Sequence, residues 1–204
     1  MKPILFNTEM VKALLDGRKT LTRRLVKPQP SKKASWLDKC AGVYTFSDAT
    51  FPHEPYSSGD ILYVRETWGI AGFNPESNEM FVEYKADGAN ANIVLPEEKF
   101  QKYYEGMSEA EPDWHPSIHM PREAARIFLR VTDVRVERLQ DIECIATEGI
   151  AMVPADDKRD PRYYFAKLWD STIKTDVHLY DWHANPWVWV IEFERISKED
   201  ALNA

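Results

Sequence analysis

The stretch RIFLRVTDVRVERL, residues 126–139, is the strongest strand signal in the chain. Ile127, Leu129 and Val131 fall on one face of an extended segment. The apolar phase then moves to Val134 and Val136, so the pattern changes face in mid-strand. A one-residue phase change implies a bulge or bend, a device of small barrels. Other segments share the period of two. GDILYVRETW (59–68) is a turn running into a strand that ends in polar residues, EMFVEYKAD (79–87) alternates, and NPWVWVIEFERI (185–196) puts Trp187, Trp189, Ile191 and Phe193 on one face.

Helical patterns lie beside these strands. NTEMVKALLDG (7–17) has Thr8 as its cap, Val11, Leu14 and Leu15 as an apolar stripe, and Gly17 at its stop. DIECIATEGI (141–150) reads as a short helix with Glu148 in its last turn, and DPRYYFAKLWDSTI (160–173) as a longer one. A further short helix fits PEEKFQKYYEG (96–106). The Pro-, Ser- and Lys-rich run after Lys27 reads as a long loop with one strand, GVYTF (42–46). The expected architecture is α+β: largely antiparallel strands, helices to one side and a small closed barrel. The 204 residues suit one domain, with insertions at about 28–57 and 88–121.

Composition narrows the function classes. No stretch reaches the roughly 18 apolar residues of a membrane helix. The first residues, MKPILFNTEM, hold no apolar run of signal-peptide length, so a cytoplasmic protein with no membrane partner is expected. The two cysteines, Cys40 and Cys144, are far apart and lack a nearby Cys/His set. His115 and His119 have helical spacing, but Pro116 and Pro121 place them in a loop. Neither a metal nor any other cofactor is expected.

The net charge of −7 argues against a protein that coats nucleic acid, but the charge is unevenly spread. Residues 1–33 carry nine Lys and Arg against two Asp and Glu. The densest cluster is GRKTLTRRL, residues 17–25, which leaves the first helix at its C-terminus. Some of that charge complements the helix dipole, and a local positive field of this kind can hold a phosphate.

Four blocks together carry a resemblance: ILFNTEMVKALLDGRKTLTRR (4–24), GDILYVRETW, WHPSIHMPREAARIFLRVTDVRVERLQDIECIATEGI (114–150) and NPWVWVIEFERI. They resemble the ASCH-domain family, in particular its longer bacterial and prophage-associated members. The resemblance implies a PUA-like β-barrel with flanking helices and an association with RNA. Some small members hydrolyse the acyl amide of N(4)-acetylcytidine with a Lys, a Thr three residues later and a Glu that follows the barrel strands. Carried over, these are Lys19, Thr22 and Glu148.

The implied chemistry is coherent. Amide hydrolysis needs a nucleophile, a base and a stabiliser of the oxyanion. Thr22 would supply the hydroxyl and Lys19, as a neutral amine, would take its proton. A lysine that is neutral near pH 7 must be brought down from about 10.4 by burial or by cationic neighbours. Arg18, Arg23 and Arg24 are such neighbours, and Arg23 would also bind a nucleotide phosphate. In an extended segment Lys19, Leu21 and Arg23 share one side and Thr20 and Thr22 the other, so Lys19 and Thr22 meet only if the segment turns. Glu66 is the rival carboxylate, or else a member of an ion pair; Trp68 would stack on a base, or else belong to the core. The expectation is a metal-independent amidohydrolase acting on N(4)-acylated cytosine, cytidine or related nucleosides. The alternatives are a non-catalytic RNA-binding module and an RNA-cleaving enzyme, both weakened by the acidic balance. Turnover of an N(4)-acylated nucleoside should survive EDTA; loss on chelation with recovery on adding zinc would contradict the metal-free scheme.

Overall fold

The computed structural model describes residues 1–31, 35–40, 43–47, 50–51, 54–106, 114–142, 148–149, 159–173 and 179–204. Within them lie strands β1 (Lys2–Leu5), β2 (Leu21–Leu25), β3 (Trp36–Cys40), β4 (Val43–Phe46), β5 (Thr50–Phe51), β6 (Ile61–Arg65), β7 (Trp68–Asn74), β8 (Glu79–Tyr84), β9 (Asn90–Val94), β10 (Phe128–Arg138) and β11 (Trp187–Ile196). The helices are α1 (Thr8–Leu15), α2 (Glu97–Glu105), α3 (Pro161–Thr172) and α4 (Lys198–Asn203). The α+β class is thus established. The described strands form one five-stranded and two three-stranded sheets, and none of these closes into the expected barrel. No described helix is long and apolar enough to cross a membrane.

The chain divides into two compact units assembled from distant segments. The first comprises Met1–Leu15, Ile61–Leu129 and Arg195–Ala204. In it β1 runs parallel to β6, with Ile4 opposite Val64. Strands β7, β8 and β9 form an antiparallel meander with an irregularity between Ile70 and Gly72. Trp68, Met80, Val82, Tyr84, Phe100 and Met120 fill its core. The cap of α1 is Asn7 rather than Thr8: its Oδ1 accepts the Met10 amide at 2.9 Å. Helix α2 is the one read in PEEKFQKYYEG and buries Phe100.

The second unit comprises Asp16–Asp60 and Arg130–Glu194. Strand β2 pairs antiparallel with β11, Thr22 opposite Ile191 and Arg24 opposite Trp189. Both faces of β11 are buried, where one apolar face was expected. On one face Val188 and Val190 join Leu21, Leu139, Ile142 and the α3 residues Phe165 and Trp169. Helix α3 starts where the sequence signals it, with Asp160 accepting the Arg162 amide and Pro161 in the first turn. On the other face Trp189 meets Tyr44 edge-on at 4.6 Å and Trp187 meets Phe46 at 4.9 Å. Tyr44 and Phe46 come from β4, so the segment read as a loop with one strand forms the β3–β4–β5 sheet and covers part of this core.

Strand β10 keeps its phase change. Leu129 and Val131 are buried, Thr132 and Asp133 are both exposed, and Val134 is buried again.

Trp189 has 7% of its surface exposed and Ile191 none. Trp189→Ala removes a large buried side chain and its edge-on partner contact. It should destabilise the protein by about 3–5 kcal/mol in urea unfolding; a loss below about 1 kcal/mol would contradict this packing.

Candidate functional site

Gly17, at φ 71°, ends the first helix in a conformation that costs a Cβ-bearing residue energy. The chain then runs extended from Lys19 through β2. Lys19 forms an isolated antiparallel bridge with Glu148, and the Thr20 carbonyl accepts the Phe193 amide at 2.9 Å. Glu148 was expected in the last turn of a helix. It lies instead in this bridge, and the positive φ of Gly149 (72°) turns the backbone directly after it. Residues 143–147 of that segment, Cys144 among them, lie outside the described residues, as do His53 and His178.

Three side chains converge here. The Lys19 ammonium donates to the Glu148 carbonyl at 2.9 Å and to its carboxylate at 3.3 Å. The Arg23 guanidinium donates through Nη1 to the other carboxylate oxygen of Glu148. Its Nη2 lies 3.4 Å from the carboxylate of Glu137 on β10. Beside them Arg18 donates to the Gly149 carbonyl at 2.9 Å. Lys19, Arg23 and Glu148 are only 3%, 8% and 6% exposed. Burial pushes the Lys19 amine below its ordinary value, Glu148 pulls it back, and Arg24 and Arg23 push it further down.

Thr22 is also buried, but alternation along β2 sends its side chain to the opposite face from Leu21 and Arg23. Arg24 shares the Thr22 face of β2, and its charge acts on both Lys19 and Glu148, so that face too lies within electrostatic reach of the cluster. Chemically, the cluster offers an amine whose proton affinity burial lowers, a carboxylate that holds it, and a guanidinium. That set can take up and return a proton and can steady developing negative charge.

Glu66 and Trp68 belong to the first unit. Both oxygens of the buried Glu66 carboxylate are held by Arg126, at 2.8 and 2.9 Å. Arg126 also grips Asp87 at 2.8 and 2.9 Å and lies 4.0 Å over the Tyr84 ring. Burial raises the Glu66 carboxyl against the pull of Arg126, and it pushes the Tyr84 phenol up to about 12. The ion-pair reading of Glu66 is therefore the observed one, with Arg126 as its partner. Trp68 is a core residue, 1% exposed and packed against Tyr103 and His115, so its ring is not open to a base. Among the described residues no three His, Cys, Asp or Glu side chains are grouped to hold a metal ion.

The sequence reading missed Glu137. Its signal lay in DVRVER, where Asp133, Arg135 and Glu137 share a strand face by the period of two. Comparison of this chain with protein-family models, with characterised proteins and with solved structures gave no match.

The depressed proton affinity of Lys19 makes a signed prediction. A group whose affinity is lower in the folded state contributes stability that is fully present above its unfolded value and lost as pH falls through the folded one. Measured by urea unfolding, the stability of the native protein relative to Lys19→Met should therefore increase as pH rises from 7 toward the ordinary lysine value of 10.5. A difference that is flat or shrinks over that range would contradict the burial effect.

Proposed function

We propose that this chain is an amidohydrolase that cleaves the acyl amide of N(4)-acylated cytosine or cytidine. The observation that carries the reading is the buried Lys19 amine, held by the carbonyl and carboxylate of Glu148 with Arg23 on the same carboxylate. The resemblance of the GRKT segment and the 114–150 block to ASCH-domain proteins supplies the substrate class. A PUA-like relationship goes with it, supported by the α+β composition, and so does a cytoplasmic setting.

In this reading neutral Lys19 removes a proton from the attacking oxygen, and the acyl carbon becomes tetrahedral. Collapse breaks the C–N bond, and the Lys19 ammonium returns the proton to the departing N(4) amine. The products are the free cytosine base or nucleoside and a carboxylate. Arg23 offsets the negative charge gathered in the transition state. We assign the attacking oxygen to a water molecule, since Thr22 alternates with Arg23 along β2, and Thr22→Ala tests that choice against the Thr22 hydroxyl.

A second reading, a non-catalytic module, accords with one observation: Lys19 and Arg23 both pair with Glu148, and the three side chains are nearly enclosed. Such clusters also serve structure alone. The same variants separate the two readings.

Purified protein incubated with N(4)-acetylcytidine should release cytidine, with a rate that rises with pH through an apparent pKa below 10.5. Lys19→Arg and Glu148→Gln should each lower kcat by about 100-fold or more, since a guanidinium cannot act as a base. Thr22→Ala should stay within roughly tenfold of the native rate. A Thr22→Ala loss as deep as that of Lys19→Arg would return the nucleophile to Thr22. Absence of turnover, with RNA affinity retained in Lys19→Arg, would establish the binding module instead.

A further inference from the structure

The ionic contacts do not end at Glu148. Arg23 divides its guanidinium between Glu148, through Nη1, and Glu137, through Nη2 at 3.4 Å. Glu137 in turn accepts from Arg135 Nε, and Arg135 Nη1 binds Asp133 at 2.9 Å and also Glu192 on β11. The side chains open outward along this series: 4% of Arg23, 23% of Glu137 and 38% of Arg135 are exposed. Glu137 is thus the first carboxylate beyond the buried set, and it alone links Arg23 to the outer pairs among the contacts described.

We infer that Glu137 is a positioning residue for the Lys19 site: by holding Nη2 of Arg23 it fixes the direction in which Nη1 presents the Glu148 carboxylate to Lys19. The inference deepens the proposed function and rests on Lys19 acting as the base.

The geometry gives this content. A guanidinium is a rigid plane, so anchoring one arm sets the other. The main chain of Glu148 is already fixed by the bridge to Lys19 and by Arg18 on the next carbonyl. The freedom left to Glu148 is that of its side chain, and Arg23 removes it. Without Glu137, the Arg23 arm is free to rotate and to draw the carboxylate away from the Lys19 amine. The charged groups that act on Lys19 are Glu148, Arg24 and Arg23. Loss of the Glu137 charge and loss of a well-placed Glu148 act in the same direction, because each leaves the two arginines less opposed and disfavours the ammonium.

The test follows the side-chain resonances of Lys19 through a pH titration in lysine-labelled protein, with Lys19→Met providing the assignment. In Glu137→Gln the midpoint should fall by roughly half a pH unit or more below the native one. Glu137→Asp keeps the charge but shortens the reach, so it should also lower the midpoint. Glu194→Gln removes the charge of a pair that Arg130 makes with an exposed carboxylate, 3.1 Å away, and should leave the titration of Lys19 unchanged. If Glu137→Asp titrates as the native protein does, or Glu137→Gln shifts Lys19 no more than Glu194→Gln, the positioning role is refuted. This readout needs no turnover. A shifted titration in a protein that never hydrolyses an N(4)-acylated nucleoside keeps the positioning and removes only the enzymatic reading. Where turnover is present, the pH profile of kcat should move with the titration.

Discussion

A lysine amine that is almost wholly out of water is the constraint around which the second unit is arranged. An ammonium ion moved into a protein interior loses solvation worth several kcal/mol unless partners replace the water. Lys19 recovers part of this from the carbonyl and the carboxylate of Glu148. Burying that carboxylate carries its own cost, which Arg23 offsets from the same side. The residues before and after depend on the arrangement. Gly17 turns the chain into the bridge, Arg18 ties the next carbonyl, and Leu21 anchors the strand in the core under α3. Because Glu148 is 129 residues away along the chain, the contact forms only when the unit is assembled.

The two buried carboxylates among the described residues differ in a way that bears on chemistry. Glu66 has both oxygens on one guanidinium, and that guanidinium is also doubly bonded to Asp87 and stacked on Tyr84. Such a closed set has the character of a strut inside the first unit. The Lys19 set is less complete. Arg23 Nε is buried and has no hydrogen-bond partner among the described residues, and its second arm reaches Glu137 only at 3.4 Å. Burial lowers the proton affinity of the Lys19 amine, and the cation beside it keeps a donor unused among the described residues.

Much of the fold was legible because the strands are strongly patterned. The phase change within residues 126–139, the caps and stops of the helices near residues 17 and 160, and the burial of Trp189 all follow from local periodicity and turn chemistry. The β3–β4–β5 sheet was not legible, because Pro, Ser and Lys dominate its surroundings and its buried aromatics act through long-range packing. Asn7 displaced Thr8 as a cap because either side chain can serve at that end of the helix. For the site, Lys19 came from the resemblance, and Arg23 from the basic cluster beside it. Strand alternation puts Thr22 on the face of β2 opposite Leu21 and Arg23. Glu148 came from the resemblance, since a lone glutamate near a glycine carries no signal of its partner. Glu137 was hidden because a charged strand face reads as ordinary solvated surface until the neighbouring strand is known.

The central claim is that burial holds the Lys19 amine below its ordinary proton affinity while Glu148 keeps it in place. Nitrogen-detected NMR of the Lys19 side chain in the native protein, titrated from pH 6 to pH 12 with the fold monitored alongside, measures this directly. The account predicts a single Lys19 transition with its midpoint below the ordinary 10.5. A midpoint at or above 10.5, or a resonance with the narrow averaged signal of a freely solvated ammonium, would contradict it.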